Sequence, residues 1–114
     1  MVIIFGLKNC DSCRKALAFF GRECKFIDIR KEGFDIDSKK KVIEQFGEKL
    51  INRRSRTWRE LKTQERAKSL SQIISDHPSV VKRPVIFFYT DIFLGWNKEL
   101  ETNFKIGQLP TSSS

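Results

Sequence analysis

The chain lacks long apolar stretches. Its 114 residues contain no apolar run longer than that at residues 85–89, and the run at residues 2–5 is shorter still; both are far short of the ~20 apolar residues of a membrane-spanning helix. The N-terminal run ends at Gly6, before the apolar region of a secretory signal peptide could form. The sequence therefore predicts a protein without a membrane span or a signal peptide, and we expect it in the cytoplasm.

Histidine and cysteine are scarce. His77 is the only histidine, and it stands before Pro78 at the end of a predicted helix, where capping or exposure is more typical than catalysis. Three cysteines are an odd number, which argues against the disulfide framework of a secreted domain. A zinc site would need two ligands besides a cysteine pair, and Cys24 and His77 lie at no recognised spacing for one. We therefore expect no metal, and we expect Cys24 to fill the core.

Acidic residues are outnumbered, with 14 Asp and Glu against 22 Lys and Arg and a formal net charge of +8. The excess lies in the middle of the chain, where residues 35–84 hold thirteen basic and seven acidic residues. A basic run can contact nucleic-acid phosphates, and the candidates are Arg53, Arg54, Arg56 and Arg59. No recognition-helix or RNA-binding motif accompanies them, so direct nucleic-acid binding is the weakest hypothesis.

The pattern that is present is that of an α/β fold. Residues 2–5 and 25–29 predict strands, and the helix between them, starting at residues 9–11 and ending at Gly21, makes a parallel βαβ unit. Residues 85–88 and 92–94 predict a hairpin, and Asn97 is expected to cap a last helix. We predict a mixed four-stranded sheet flanked by helices, with a helical insert at about residues 35–76 between strands 2 and 3.

The length suits a single domain. A hydrophobic fraction of 39% with ten phenylalanines is enough for a packed interior. We place this domain at residues 1–108 and expect the polar residues 109–114 to form a flexible tail.

Cys10 and Cys13 form the sharpest chemical feature, a CxxC pair at a strand-to-helix turn. At the helix N-terminus, backbone N–H groups and the helix dipole stabilise a thiolate, and Lys8, Arg14 and Lys15 add positive charge nearby. Cys10 is therefore the candidate nucleophile, with a lowered pKa. Cys13 lies one turn on, where it could resolve a mixed disulfide on Cys10. It also shares the apolar face of the predicted helix with Ala16, Leu17 and Phe20, which fits an ordinary buried thiol.

Arginines suit a site beside such a thiol, because a guanidinium binds oxyanions and carboxylates through paired hydrogen bonds and lowers the pKa of a neighbouring thiol. Arg83 is a candidate because it precedes Pro84, and the residue before proline is held extended.

Three motifs together resemble the arsenate reductase-like family. They are NCDSCRKA at residues 9–16, LINRRSRTWREL at residues 50–61 and VKRPVI at residues 81–86. Their order and spacing match over residues 1–106. The family includes glutaredoxin-coupled arsenate reductases, YffB-like thiol reductases and Spx regulators, and the chain is most similar to the YffB-like branch.

The resemblance implies a thioredoxin-like fold with a helical insert and a cis peptide bond before Pro84. It implies that Cys10 is the nucleophile and that Arg54 and Arg83 line the pocket for an oxyanion or thiol substrate. Asn9 and Arg14 belong to the same motifs and are further candidates for anion binding. No bound cofactor is implied, and glutathione or glutaredoxin would supply electrons.

Two features depart from the family pattern. Arsenate reductases of this family have three anion-binding arginines, one of them after the hairpin, whereas no arginine follows Arg83 here. This absence argues against arsenate as the substrate. The pair of Cys10 and Cys13 resembles the redox switch of Spx, whereas YffB-like members often have only the first cysteine.

Two functional hypotheses follow. The first is a thiol-dependent oxidoreductase acting on a small thiol or oxyanion, with Cys10 as nucleophile and either Cys13 or external glutathione as the resolving thiol. The second is an Spx-like regulator that binds RNA polymerase and is switched by oxidation of the CxxC pair.

Overall fold

A computed structural model describes residues 1–107 of the chain. They divide into two compact units, the first made of Met1–Asp28 and the chain from Arg83 onward, the second of Ile29–Lys82. The second unit is wider than the insert predicted at about residues 35–76, because the loop before its first helix and the turn after its last helix fold with it. Residue 108 and the tail predicted at residues 109–114 lie outside the described residues.

The first unit is built on a four-stranded sheet in the order β2-β1-β3-β4. The strands are β1 (Val2–Gly6), β2 (Cys24–Asp28), β3 (Val85–Phe88) and β4 (Asp91–Leu94). β1 and β2 are parallel, whereas β3 is antiparallel to both β1 and β4. This confirms the predicted mixed sheet and thioredoxin-like fold, with β2 beginning one residue earlier than expected.

Two helices cover one face of this sheet. They are α1 (Asp11–Phe20), which a 3-10 turn at Gly21–Glu23 follows, and α6 (Lys98–Lys105). Alternate strand residues pack beneath them with residues of both helices, in a core made of Val2, Ile4, Ala16, Phe20, Ile86, Phe93 and Leu100. Each large apolar side chain buried in this way contributes about 1.5–3 kcal/mol, so this layer fixes the position of α1 on the sheet.

The ends of the two helices follow from local chemistry. Gly21 ends α1 as predicted, with a φ of 57° that glycine adopts without strain. Asn97 caps α6, because its Oδ1 accepts a hydrogen bond from the Leu100 N–H at 2.7 Å. A helix start at residues 9–11 predicts Asn9 or Asp11 as the N-cap of α1, but neither residue is the N-cap. Cys10 occupies that position without a side-chain capping bond, so the start of α1 relies on tertiary packing.

The second unit is helical, as predicted for the insert, and it contains four helices. They are α2 (Ile36–Phe46), α3 (Arg56–Glu60), α4 (Thr63–Arg66) and α5 (Leu70–Asp76), with 3-10 turns at Gly47–Leu50 and Pro78–Val80. The side chains of Ser55 and Ser69 accept hydrogen bonds from the N–H groups of Trp58 and Gln72 and so begin α3 and α5. No helix within residues 1–107 is both long enough and apolar enough to cross a membrane.

Candidate active site

Cys10 lies where β1 gives way to α1. Its backbone is extended, with φ −101° and ψ 124°, and it is the N-cap of α1. The Cys10 N–H donates a hydrogen bond to the Leu7 carbonyl at 3.3 Å, and the Cys10 carbonyl accepts one from the Arg14 N–H at 2.9 Å. A buried strand on one side and a packed helix on the other therefore hold this cysteine in place.

The Cys10 thiol is half-buried, and its pKa is lower than that of an ordinary cysteine. Burial alone raises this pKa, because it removes water from the thiolate. Three hydrogen bonds to the sulfur and the positive charge of Arg83 together outweigh that effect. The hydrogen bonds come from the Cys13 backbone N–H, the Cys13 thiol and the Arg83 guanidinium.

Cys13 is the opposite case. Its side chain is fully buried, and burial is the main reason why the pKa of its thiol is raised to about 12. The neighbouring Cys10 raises this pKa further, while a hydrogen bond from the Leu7 N–H lowers it in part. Cys13 therefore stays protonated at neutral pH and can donate its hydrogen to the Cys10 sulfur.

Gly6 makes room for the buried thiol, a role that the sequence did not reveal. A Cβ built on Gly6 would overlap the Cys13 Sγ and would lie 3.3 Å from the Cys13 Cβ. In the sequence, Gly6 reads as the turn that ends β1. Only the packing of α1 over the end of β1 shows that a side chain at this position would displace Cys13.

Arg83 reaches Cys10 because of the sheet register. Phe5 in β1 pairs with Val85 in the antiparallel β3, so the residues just after β1 lie beside those just before β3. The Arg83–Pro84 peptide bond is cis, Pro84 is fully buried, and its carbonyl accepts a hydrogen bond from the Gly95 N–H at 2.7 Å. Arg83 itself is half-buried beside the thiol.

Arg14 and Asn9 lie in the same loop but are differently placed. The Arg14 Nε donates a hydrogen bond to the Lys8 carbonyl at 3.1 Å, and Nη1 lies 3.8 Å from an Asp11 carboxylate oxygen. Arg14 thus closes the loop that carries Cys10. Asn9 is exposed in the turn before it. Anion binding by either residue stays a prediction.

Arg54 belongs to the second unit, where it is exposed in the turn before α3. Its N–H donates a hydrogen bond to the Asn52 Oδ1 at 3.1 Å. Two other arginines of this basic run pair with carboxylates: Arg53 with Glu48 at 3.7 Å and Arg56 with Glu60 at 2.8 Å. Part of the basic excess therefore forms local ion pairs, and the role of Arg54 toward a substrate stays a prediction.

His77 is half-buried in the second unit, and its Nε2 lies 3.1 Å from the Glu65 carboxylate. Glu65, Asp76 and His77 lie close enough together for one atom of each to reach a shared metal ion. The Lys68 ammonium, however, lies 3.1 Å from Glu65 and 3.6 Å from Asp76. A cation of the chain itself already balances these carboxylates, so the cluster is explained by ion pairing.

The comparison with protein families decides the relationship. The family model described as "ArsC family" matches residues 5–104. The chain belongs to the ArsC family. This confirms the resemblance that the three motifs carry, and with it an arsenate reductase-like fold.

Relatives of this ArsC-family chain have different descriptions. An uncharacterized protein of Haemophilus influenzae is 34% identical over 114 residues, covering 91% of this chain and 99% of that protein. The global transcriptional regulator Spx of Bacillus subtilis is 28% identical over 108 residues, covering 87% of this chain and 82% of the regulator. A solved structure described as YFFB (PA3664) protein has a TM-score of 0.76 at 22% identity, covering 93% and 97% of the two chains. That last similarity concerns the fold alone.

Proposed function

We propose that the chain is a thiol-dependent oxidoreductase with Cys10 as its nucleophile. One observation carries this proposal: two thiols one helical turn apart have pKa values displaced in opposite directions. The pKa of Cys10 is lowered, and that of Cys13 is raised to about 12. The thiolate is the reactive form of cysteine. Within this pair it forms at Cys10, which is also the more accessible of the two.

The reaction would proceed by thiol–disulfide exchange. The Cys10 thiolate attacks one sulfur of a disulfide substrate, the substrate S–S bond breaks, and one half leaves as a thiolate while the other half is joined to Cys10. A second thiolate then attacks this mixed disulfide. Attack by external glutathione releases Cys10 and forms a new disulfide with the released group, whereas attack by Cys13 releases the group as a thiol and leaves a Cys10–Cys13 disulfide, which glutathione or glutaredoxin would reduce.

The charge on Cys10 bears on which thiol resolves the intermediate. Once Cys10 is in a mixed disulfide it carries no negative charge, so one cause of the raised Cys13 pKa is removed. Burial, the larger cause, remains. Loss of the Cys10 charge therefore makes Cys13 more reactive without making it an accessible thiolate, and this leaves a role for an external thiol.

Arg83 is the residue that we propose for holding the anionic part of the substrate beside the sulfur, because its guanidinium already contacts Cys10. From the family resemblance we propose Arg54, Asn9 and Arg14 as further anion-binding residues. A bare tetrahedral oxyanion is best held by several convergent guanidinium groups. Because no arginine follows Arg83, we propose a small organic thiol or disulfide as the substrate in preference to arsenate.

Turnover of a small disulfide with glutathione tests this proposal. Cys10→Ser should lose at least about 99% of the wild-type rate, because a hydroxyl is not ionised at neutral pH. Cys24→Ser is the matched control, since Cys24 pairs with Val2 at the opposite end of β1 from Cys10 and its thiol donates a hydrogen bond to the Gly21 carbonyl. Wild-type turnover by Cys10→Ser would refute the proposal.

Cys13→Ser distinguishes the two routes by which the mixed disulfide could be resolved, because it stops turnover only if Cys13 is the resolving thiol.

A second candidate function is redox-switched regulation. It is favoured by the 28% identity to Spx over most of that regulator, together with the CxxC pair. In this case the chain would bind RNA polymerase, and oxidation of Cys10 and Cys13 would change the affinity without turnover. Affinity capture of purified polymerase by oxidised and by reduced protein tests it. Absence of binding in both redox states would exclude this function.

A further inference from the structure

A cleft opens beside the first turns of α1 and α6 in the first unit. It has a volume of about 350 Å³ and is lined by Ser12, Lys15, Trp96, Asn97, Lys98 and Glu101. Clefts that bind small molecules have volumes of about 300–1,000 Å³, so this one can hold part of a small ligand. Along α1 it begins two residues after Cys10.

Two lysines give the cleft its charge. Lys15 and Lys98 are exposed, and in the chain up to residue 107 neither ammonium group has a carboxylate within ion-pairing distance. The acidic residue of the cleft, Glu101, lies 3.8 Å from the Lys105 ammonium, which offsets its charge. The cleft therefore offers two positive charges, from different helices, to an anionic ligand.

Trp96 forms an apolar wall in the same cleft. Its indole ring packs on Phe19 and Phe20, with centroids 5.4 Å and 5.7 Å away, and stacks with Phe104 at 6.1 Å and an interplanar angle of 13°. These three contacts hold the indole in one orientation. An aromatic wall beside two ammonium groups suits an organic anion, whose carbon skeleton can pack on the ring.

We propose that this cleft binds the carboxylate-bearing part of a small organic thiol or disulfide whose sulfur reacts at Cys10. Lys15 and Lys98 attract the carboxylate groups, and Trp96 packs against the carbon skeleton between them and the sulfur. This inference rests on the proposed function, since it names the substrate class of the same site. Lysines act as separate point charges and lack the fork of a guanidinium, so the cleft favours an extended acid over a compact oxyanion.

Binding of S-methylglutathione tests the cleft without any reaction, because the sulfur of this probe is blocked. Replacing Trp58 by Phe leaves Trp96 as the one tryptophan of the chain, so its fluorescence reports on the cleft. We expect titration to change the Trp96 emission, and the double variant Lys15→Gln/Lys98→Gln to raise the Kd at least tenfold. The charge-matched control Arg22→Gln/Lys25→Gln changes two exposed residues outside the cleft and should leave the Kd within twofold.

The diester of S-methylglutathione distinguishes carboxylate recognition from packing on the indole. We expect the diester to bind the wild-type protein at least tenfold more weakly, and its affinity to be unaffected by the double lysine substitution. The proposal is wrong if Trp96 emission does not respond to the acid, if acid and diester bind equally, or if the double variant binds the acid like wild type.

Turnover separates a failure of this inference from a failure of the proposed function. With dithiothreitol as the reductant, the double lysine variant should lose at least tenfold more kcat/KM for glutathione disulfide than for uncharged hydroxyethyl disulfide. Equal losses of kcat/KM for the two disulfides would contradict carboxylate recognition. Wild-type turnover by Cys10→Ser would instead refute the nucleophile, and the binding experiment would still report on the cleft.

Discussion

Gly6 and Cys13 pack so closely that a Cβ at position 6 would overlap the sulfur of Cys13. The position of this sulfur matters because the Cys13 thiol and N–H both donate hydrogen bonds to Cys10. A glycine at the end of β1 thereby controls the environment of a cysteine four residues further along the chain.

Gly6→Ala should destabilise the protein by about 1–3 kcal/mol, the usual cost of forcing an extra methyl group into a packed core. It should also raise the pKa of Cys10, because displacement of Cys13 weakens two of the hydrogen bonds that stabilise the thiolate. Urea denaturation measures the first effect, and the pH dependence of Cys10 alkylation measures the second.

A double-mutant cycle provides the control for this substitution. Cys13→Ala removes the sulfur that the new methyl group would overlap, so Gly6→Ala should cost less in the Cys13→Ala protein than in wild type, by about 1 kcal/mol or more. If Gly6→Ala costs the same in both proteins, the close packing of these two residues is not what position 6 contributes.

Arg83→Met should raise the pKa of Cys10, since it removes a hydrogen bond and a positive charge from the thiolate while keeping an apolar side chain of similar length. The rate of alkylation of Cys10 by iodoacetamide, followed by mass spectrometry from pH 5 to 10, should therefore rise at a higher pH than in wild type. Arg22→Met is the control, because Arg22 is exposed in the turn after α1. Identical profiles for Arg83→Met and wild type would contradict the contact.

The free energy of unfolding should fall as the pH rises from about 9 to about 12, with Cys13 as one cause. Its pKa is raised from 9.0 to about 12 in the folded protein. Between these two pH values the thiol is ionised in the unfolded chain but still protonated in the folded protein, and this ionisation stabilises the unfolded state relative to the folded state. One such group changes the unfolding free energy by at most about 1.4 kcal/mol per pH unit. Below pH 9 the contribution is fully present.

Other groups also titrate in this range, so Cys13→Ala serves as the comparison for the pH dependence. The unfolding free energy of the variant should depend less steeply on pH between 9 and 12 than that of wild type. Equal slopes, measured by urea denaturation at matched ionic strength, would show that Cys13 does not have a raised pKa.

Arg66→Ala should destabilise the second unit by about 1 kcal/mol. The Arg66 guanidinium lies over the Trp58 ring at 5.1 Å and donates hydrogen bonds to the carbonyls of Trp58 and Arg59 at 3.0 and 3.3 Å. The Trp58 carbonyl also accepts a hydrogen bond from the Leu61 N–H at 3.1 Å, so Arg66 adds a second donor there and a donor to the Arg59 carbonyl at the end of the five-residue helix α3. The midpoint of urea denaturation measures the loss.

Arg59→Ala is the matched control, because it removes an exposed arginine side chain from the same helix and leaves the carbonyl that Arg66 binds. It should change the stability by no more than about 0.5 kcal/mol, as is usual for exposed positions. Equal losses for Arg66→Ala and Arg59→Ala would mean that the contacts of Arg66 do not stabilise α3.

Local patterns were enough to predict most elements of the first unit. Residues 85–88 were predicted as a strand and are β3, Gly21 ends α1, and Asn97 caps α6. Each of these features depends on residues that are close in the sequence. A run of apolar residues forms the strand, a glycine with positive φ ends α1, and the Asn97 side chain accepts a hydrogen bond from the N–H three residues further on. The insert was predicted only as helical, whereas the N-caps Ser55 and Ser69 begin separate short helices within it.

The sequence by itself determined that Cys10 and Cys13 stand at a strand-to-helix turn, because strand pattern, turn and helix pattern all lie within twenty residues. Only the tertiary structure decided how the two thiols differ. The pKa of a thiol depends on its burial and on the hydrogen-bond donors around it. Here Arg83, distant in the sequence, is one of the donors to Cys10, and Cys13 is buried on the inner face of α1, where the absence of a side chain at Gly6 leaves space for its sulfur. Pairing of β1 with β3 brings Arg83 to Cys10, and packing of α1 over the end of β1 brings Cys13 against Gly6; no local pattern records either arrangement.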